Sequence, residues 1–349
     1  MVEAIDLFCG VGGLTSGLVT AGIRVIAGID IDKACCFPFE VNHPGARFIE
    51  CDVTSVTGDQ LNSLWSPGVV RLLAGCAPCQ PFSSYAKGKG LSHAKWGMLE
   101  QFARLVKESQ PDLVTMENVP GLQHQEPFEH FLTALKRCGF HVTYGVLNAA
   151  DYGVPQRRKR LVLLASKNGP IDLPVPTHSG SVNWVTVRKA IGDLPELQHG
   201  CANKDDVIHR AAGLSPLNLE RIRASKPGGT WRDWPQELVA TCHTKESGKH
   251  SGGVYGRMIW DGVAPTMTTL CNGFGNGRFG HPEQNRAISL REAAIFQSFP
   301  QNYIFSELDK VVSAKTVARL IGNAVPPKLA EAVGRQLLCA VRCSLKISD

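Results

Sequence analysis

Along the first 165 residues, short β-branched and apolar runs alternate with stretches whose apolar positions recur at helical spacing. Ala4–Phe8, Arg24–Ile29, Val70–Ala74, Leu113–Glu117, Val142–Leu147 and Leu161–Ala165 read as strands, and Leu14 to Ala21, Leu99 to Lys107 and Phe128 to Cys138 as helices between them. Strand alternating with helix is the signature of βαβ units, so the pattern predicts an α/β fold on a doubly wound, mostly parallel sheet. After Ala165 the alternation stops. Pro170, Pro174 and Pro176 interrupt a Ser/Thr/Gly-containing stretch that suits a linker. Residues 180–285 have poor periodicity and hold Trp184, Trp231, Trp234 and Trp260, which reads as a second, smaller, irregular domain that binds through its loops. The two closely spaced tryptophans, Trp231 and Trp234, are expected in its core. Helical spacing returns at Leu290–Phe296, at Ala314–Leu320, and from Pro326-Pro327 through Leu338, where a proline in the first turn favours a helix start. The expected division is residues 1–180 plus 314–349 for the sheet domain and 181–313 for the small one.

Composition narrows the class. With 349 residues, 43% hydrophobic and 19% charged, the chain has material for a buried core and too little charge for disorder. Its 12 cysteines are scattered, as reduced thiols are, rather than spaced as a disulfide framework. No apolar run reaches the ~18 residues that a membrane span needs, and the chain starts on a strand-like run instead of a signal, so a cytoplasmic, non-membrane protein is expected. The net charge of +6 arises late: residues 1–165 are balanced at 15 basic and 15 acidic side chains, whereas residues 286–349 carry 9 and 5. That excess is compatible with a polyanion partner without requiring one.

Three clusters carry candidate chemistry. Asp6-Leu7-Phe8-Cys9-Gly10-Val11-Gly12-Gly13 is a glycine-rich turn between the first strand and its helix, where bare backbone can approach a ligand. It departs from the dinucleotide fingerprint, because Thr15 stands where GxGxxG has its third glycine. Asp30 closes the second strand 20 residues after Gly10, placed to accept from ribose hydroxyls, and Asp52 follows the next short run. Turn and spaced acids together point to an adenosine-type cofactor. The second cluster, Gly75–Ser83, contains Cys76-x-x-Cys79. No second such pair and no His pair at finger spacing accompanies it, which disfavours zinc, and a redox couple lacks thioredoxin-like companions. A nucleophilic cysteine and two buried thiols behind a proline turn both stay open. The third cluster puts Glu117 at a strand tip on the edge that holds Cys79 and sends the arginines of Gln156-Arg157-Arg158-Lys159-Arg160 into another strand. Singly, the glutamate reads as a strand cap and the arginines as a solvated face. Together they converge beside the glycine turn.

On these motifs the chain resembles the cytosine carbon-5 DNA methyltransferases. Asp6–Gly13, Gly75–Ser83, Glu117-Asn118-Val119, Gln156–Arg160, Arg291–Pro300 and Gly322-Asn323-Ala324-Val325 fall in the family's order and spacing. The resemblance implies a Rossmann-like S-adenosylmethionine-dependent methyltransferase domain with a small target-recognition domain. It further implies that Phe8, Gly10, Gly12, Gly13, Asp30, Ile31, Asp52, Pro78, Asn323 and Ala324 hold S-adenosylmethionine, which leaves as S-adenosylhomocysteine. Cys79 would be the nucleophile, leaving Cys76 a bystander, Glu117 would contact cytosine nitrogen 3, and Arg158 and Arg160 would steady the base and the cysteine. Ser83, Tyr85, Lys87 and Lys89 would lie on a loop closing over DNA. In the small domain, Arg257 or Arg278 would read guanine, with the glycine-rich run Asn272–Gly280 equally readable as a flexible turn. Asp261–Leu270 resembles the stretch that ends the family's recognition region.

The implied protein is a monomeric DNA (cytosine-5-)-methyltransferase that uses no metal, acts on double-stranded DNA, and is cytoplasmic and nucleoid-associated in a prokaryote. Its length fits a modification enzyme with a cognate restriction endonuclease. An RNA cytosine-5 methyltransferase and a non-catalytic DNA-binding relative are the alternatives; intact Cys79, Glu117 and Arg158 argue against the latter.

Overall fold

Seven strands hydrogen-bond into one sheet in the computed structural model of the chain, which describes residues 1–78, 97–246, 252–307 and 312–347. In chain order they are β1 (Val2–Leu7), β2 (Arg24–Asp30), β3 (Arg47–Glu50), β4 (Val70–Gly75), β5 (Leu113–Asn118), β6 (His141–Asn148) and β7 (Lys159–Ser166). Their spatial order is β3-β2-β1-β4-β5-β7-β6. All neighbouring pairs from β3 to β5 are parallel, and β7 alone is reversed, antiparallel to both β5 and β6. The strand order turns back between β1 and β4, a switch point whose carboxyl edge is where open α/β sheets bind ligands.

The described helices are α1 (Gly13–Ala21), α2 (Cys36–Asn42), α3 (Gly58–Leu64), α4 (Gly97–Ser109), α5 (Glu126–Arg137), α6 (Val187–Ile191), α7 (Pro216–Ala224), α8 (Thr241–Thr244), α9 (Leu290–Phe296), α10 (Ala314–Asn323) and α11 (Pro327–Ile347). Three elements of the sheet region were not legible in the apolar pattern. β3 is a four-residue edge strand, too short to display an alternation. α2 and α3 are two-turn helices, too short for a helical period to repeat. A local signal does mark α3: Thr57 caps the Gln60 amide while the Gln60 side chain accepts from the Thr57 amide, a reciprocal capping box. The first strand also ends one residue early. Phe8 turns into the left-handed region at φ 56°, which breaks the extended run at Leu7.

The chain divides into two units. The first comprises Met1–Tyr152, Lys159–Ser179 and Ala324–Asp349, the second Gly153–Arg158 and Gly180–Asn323. This differs from a boundary at 314, because α10 and the six residues Gly153–Arg158 belong to the second unit. Their hydrogen bonds explain the assignment. The Arg157 amide donates to the Ala264 carbonyl, the Gln156 side chain donates to the Phe296 carbonyl and accepts from the Met267 amide, and Gln297 donates to the Ile321 carbonyl in α10.

Two glycine-lined approaches organise the first unit around the β1–α1 turn. A Cβ on Gly13 would stand 2.3 Å from the Val325 carbonyl oxygen, and one on Gly17 would stand 2.3 Å from that of Pro327. From the other side a Cβ on Gly334 would stand 2.7 Å from the Ala21 Cβ. Bare backbone at helical spacing lets α1 and α11 lie close together, so the C-terminal helix buttresses the turn that opens α1. In the second unit, Trp231 and Trp234 are buried with Ile222, Phe274 and Ala287 in a core cluster. Arg286 and Glu292, both buried, form a two-pronged ion pair beside the capping box that starts α9.

The tight α1–α11 contact gives a direct test. Gly17→Ala should destabilise the protein by about 1–3 kcal/mol through overpacking against the Pro327 carbonyl, seen as a lower denaturant midpoint with an unchanged m-value.

Candidate active site at the carboxyl edge of the sheet

The glycine turn is held from below by a buried acid. Asp6, at the buried end of β1, accepts a 2.7 Å hydrogen bond from the Thr15 hydroxyl, so the residue that breaks the dinucleotide fingerprint ties α1 to β1. Burial raises the Asp6 carboxyl from its ordinary 3.8 to about 7, with the Thr15 bond opposing the rise. Its Oδ1 has no hydrogen-bond partner among the described residues. The turn itself is built from positive-φ residues: Phe8 (56°), Gly10 (54°) and Gly12 (85°). At Gly12 a side chain would meet the His43 ring at 2.4 Å, whereas a Cβ on Gly10 would meet nothing within 4 Å. Gly12 is therefore required by packing as well as conformation, and open space lies over Gly10.

Beside this turn, the ends of β2 and β3 present acids. Asp30 accepts from the Gly10 amide at 2.9 Å through one oxygen and from the Asp32 amide at 2.9 Å through the other. Burial pushes its carboxyl above the ordinary range despite those amides. Ile31 follows with 66% of its surface exposed, unusual for a large apolar side chain. Asp52 caps the short helical turn after β3 by accepting from the Thr54 amide. Ala324 is half-buried, Pro78 is exposed after β4, and Asn323 is an exposed residue of the second unit.

On the other side of β1, the ends of β4, β5 and β7 converge on one carboxylate. Glu117 is buried at the end of β5. Its Oε2 accepts from the Cys76 thiol at 3.1 Å, and Arg160 Nε lies 2.9 Å from its Oε1. The Arg160 contact is an ion pair at short range but off the axis of a hydrogen bond, so Oε1 has no aligned donor among the described residues. The topology explains the meeting. Gly75 pairs with Met116 across parallel β4 and β5, which sets Cys76 beside Glu117. β7 is reversed, with Leu161 opposite Asn118, so Arg160 at its start faces the carboxyl end of β5. Asn118, to which no role is given by the sequence, donates from Nδ2 to the Ala77 carbonyl at 2.9 Å and fixes the backbone immediately before Pro78.

Cys79, Ser83, Tyr85, Lys87 and Lys89 lie outside the described residues. Arg158 is buried in the second unit, donating to the Met267 carbonyl at 2.9 Å and the Gly322 carbonyl at 3.2 Å. Its guanidinium frames that unit rather than facing outward. Arg257 and Arg278 bond within the second unit. Arg257 is buried, and its guanidinium donates to the carbonyls of Ile222, Ser225, His281 and Gln284 and to Asn285 Oδ1. Arg278 is half-buried and donates to the carbonyls of Gly229 and Arg257. Both knit loops of the second unit together, because a unit poor in regular structure must satisfy its carbonyls with side chains. Among the described residues no cluster of three or more His, Cys, Asp or Glu forms a metal-binding group, and no helix is long and apolar enough to cross a membrane.

Comparison with known proteins agrees with this geometry. The family model for C-5 cytosine-specific DNA methylase matches residues 2–339. The chain is similar to the type II methylase M.HgiDII of Herpetosiphon aurantiacus, at 50% identity covering 95% of this chain and 94% of that one. It is 33% identical to the type II methyltransferase M1.HphI of Haemophilus parahaemolyticus, covering 96% and 86%. Among solved structures, a prophage-encoded protein described as a DNA modification methyltransferase (E. coli) superposes with a TM-score of 0.75 at 23% identity, over 98% of this chain and 100% of that one. S. pombe Dnmt2 methyltransferase gives 0.64 at 17% identity, over 98% and 99%. At these identities the structural likeness establishes the shared fold.

The buried acid under the turn makes stability depend on pH. Because its pKa is raised on folding, Asp6 contributes stability that is complete below about 4 and lost as pH rises through about 7. Asp6→Asn, which keeps an oxygen for Thr15, should flatten the fall of urea midpoint with pH between about 4 and 7, a slope on the order of 1 kcal/mol per pH unit at most.

Proposed function

Because the chain belongs to the C-5 cytosine-specific DNA methylase family, we propose that it is the modification enzyme of a type II system, methylating carbon 5 of a flipped-out cytosine in a specific duplex sequence. The observation that carries this reading is Glu117, a buried carboxylate gripped by Cys76 and Arg160 at the carboxyl edge, beside the strand that leads into Pro78-Cys79. Names of the similar type II enzymes support the biological setting, with a restriction endonuclease of the same specificity as partner.

The residues present fit S-adenosylmethionine. Gly10 leaves open space above the turn, Asp30 and Asp52 offer carboxylates at successive strand ends, and exposed Ile31 offers an apolar surface for a purine ring. Phe8, Gly12, Gly13, Pro78, Asn323 and Ala324 complete the assignment on the family resemblance. When bound, the cofactor supplies an electrophilic methyl group.

The chain's own groups supply the rest. Carbon 5 of cytosine is a weak nucleophile, and addition of the Cys79 thiolate to carbon 6 turns the ring into an enamine-like one. Glu117 contacts nitrogen 3, and a proton donated or shared between its carboxyl and that nitrogen offsets the negative charge that builds up as sulfur adds. Arg160 holds that carboxylate in place. Arg158 acts at one remove, by fixing the Met267 and Gly322 backbone. Once carbon 5 carries the transferred methyl group, loss of its proton to solvent base re-forms the 5,6 double bond as Cys79 leaves as thiolate. A stacked base is out of reach of this edge, so the cytosine leaves the duplex at a cost of a few kcal/mol. Ser83, Tyr85, Lys87 and Lys89 are assigned to DNA contact. With Arg257 and Arg278 engaged internally, base reading falls to other exposed groups of the second unit.

Bisulfite sequencing of plasmid from cells expressing the protein should show one methylated cytosine within a fixed sequence. Cys79→Ser should abolish methylation and the covalent adduct with DNA containing 5-fluorocytosine. Glu117→Gln should lower kcat by roughly 10²–10⁴-fold. Methyl transfer to transfer RNA and none to duplex DNA would overturn the substrate assignment, and full activity in Cys79→Ser would overturn the nucleophile.

A further inference from the structure

Resting on that reading, we propose that Cys76, three residues before the nucleophile and no part of the covalent chemistry, is a positioning residue: its thiol holds the Glu117 carboxylate in the orientation that meets the cytosine ring.

The geometry is specific. The Cys76 Sγ stands 3.1 Å from Glu117 Oε2, well inside the range for a sulfur donor. The Arg160 contact at 2.9 Å is to Oε1 and is not aligned as a hydrogen bond, so it neutralises the carboxylate without fixing its rotation. Terminal carboxylate torsions are broad and roughly two-fold, so an ion pair alone leaves the plane of the group loosely set. A directional donor on the opposite oxygen sets it. Cys76 itself is fixed, because its amide donates to the Leu7 carbonyl at 3.3 Å and the next residue's carbonyl is held by Asn118. One side chain from β4's end and one from β7's start thus hold one oxygen each. Serine at this position can donate the same bond through its hydroxyl; alanine cannot.

Steady-state methyl transfer to duplex DNA by wild type, Cys76→Ala and Cys76→Ser, with thermal midpoints of all three, tests this. Cys76→Ala should lower kcat by about three- to tenfold, the scale of one modest hydrogen bond, with KM for DNA unchanged. Cys76→Ser should return kcat to within about twofold of wild type. An unchanged kcat in Cys76→Ala, or a serine variant as slow as the alanine variant, would overturn the proposal. If Cys76→Ala does not fold, Cys76→Val takes its place against Cys76→Ser on the same criteria. Wild-type protein that transfers no methyl group to DNA would instead overturn the reading beneath it, so the two failures are distinct.

Discussion

A carboxylate buried at the end of β5 is the constraint on which the carboxyl edge of the sheet depends. Removing the Glu117 charge from water is unfavourable unless a cation and donors replace the lost hydration. The fold supplies a guanidinium from β7 and a thiol from the end of β4, each one strand away. This requires β7 to run against its neighbours. In an all-parallel sheet the start of β7 would lie at the opposite edge, and Arg160 would be a strand length away. The single reversed strand is therefore part of the site's electrostatics as well as of the topology.

The glycine turn meets the same demand by another route. Its backbone is bent by three positive-φ residues, and the bend is secured by Asp30 on the Gly10 amide and Thr15 on Asp6. Behind it, Gly13 and Gly17 admit the Val325 and Pro327 carbonyls, so the last helix of the chain supports a loop formed by the first strand. Acids at this edge thus shape the backbone of the turn.

The motif Gln156-x-Arg158-x-Arg160 shows how closely spaced residues of one extended segment take separate tasks. Gln156 and Arg158 bond the backbone of the second unit, at Phe296, Met267 and Gly322, while Arg160 pairs with Glu117 in the first. Spacing alone suggests three polar side chains on one face with one purpose. Arg257 and Arg278 carry the same lesson, since an arginine among glycines looks solvent-directed in sequence and is instead consumed by loop carbonyls.

By itself, the sequence determined the sheet, because strand and helix periods differ and repeat over enough residues to be told apart at β1, β2, β4 to β7, α1, α4 and α5. It also determined the glycine turn and, through the order of motifs, the family, since both are local patterns. Short elements such as β3 and α2 carry too few residues for any period. Tertiary structure alone decided what each polar side chain does. Cys76 on Glu117, Asn118 on the Ala77 carbonyl and the internal engagement of Arg158, Arg257 and Arg278 all follow from strand register and chain crossings. Hydrogen-bond partners tens of residues apart are set by register and packing, and no local pattern encodes them.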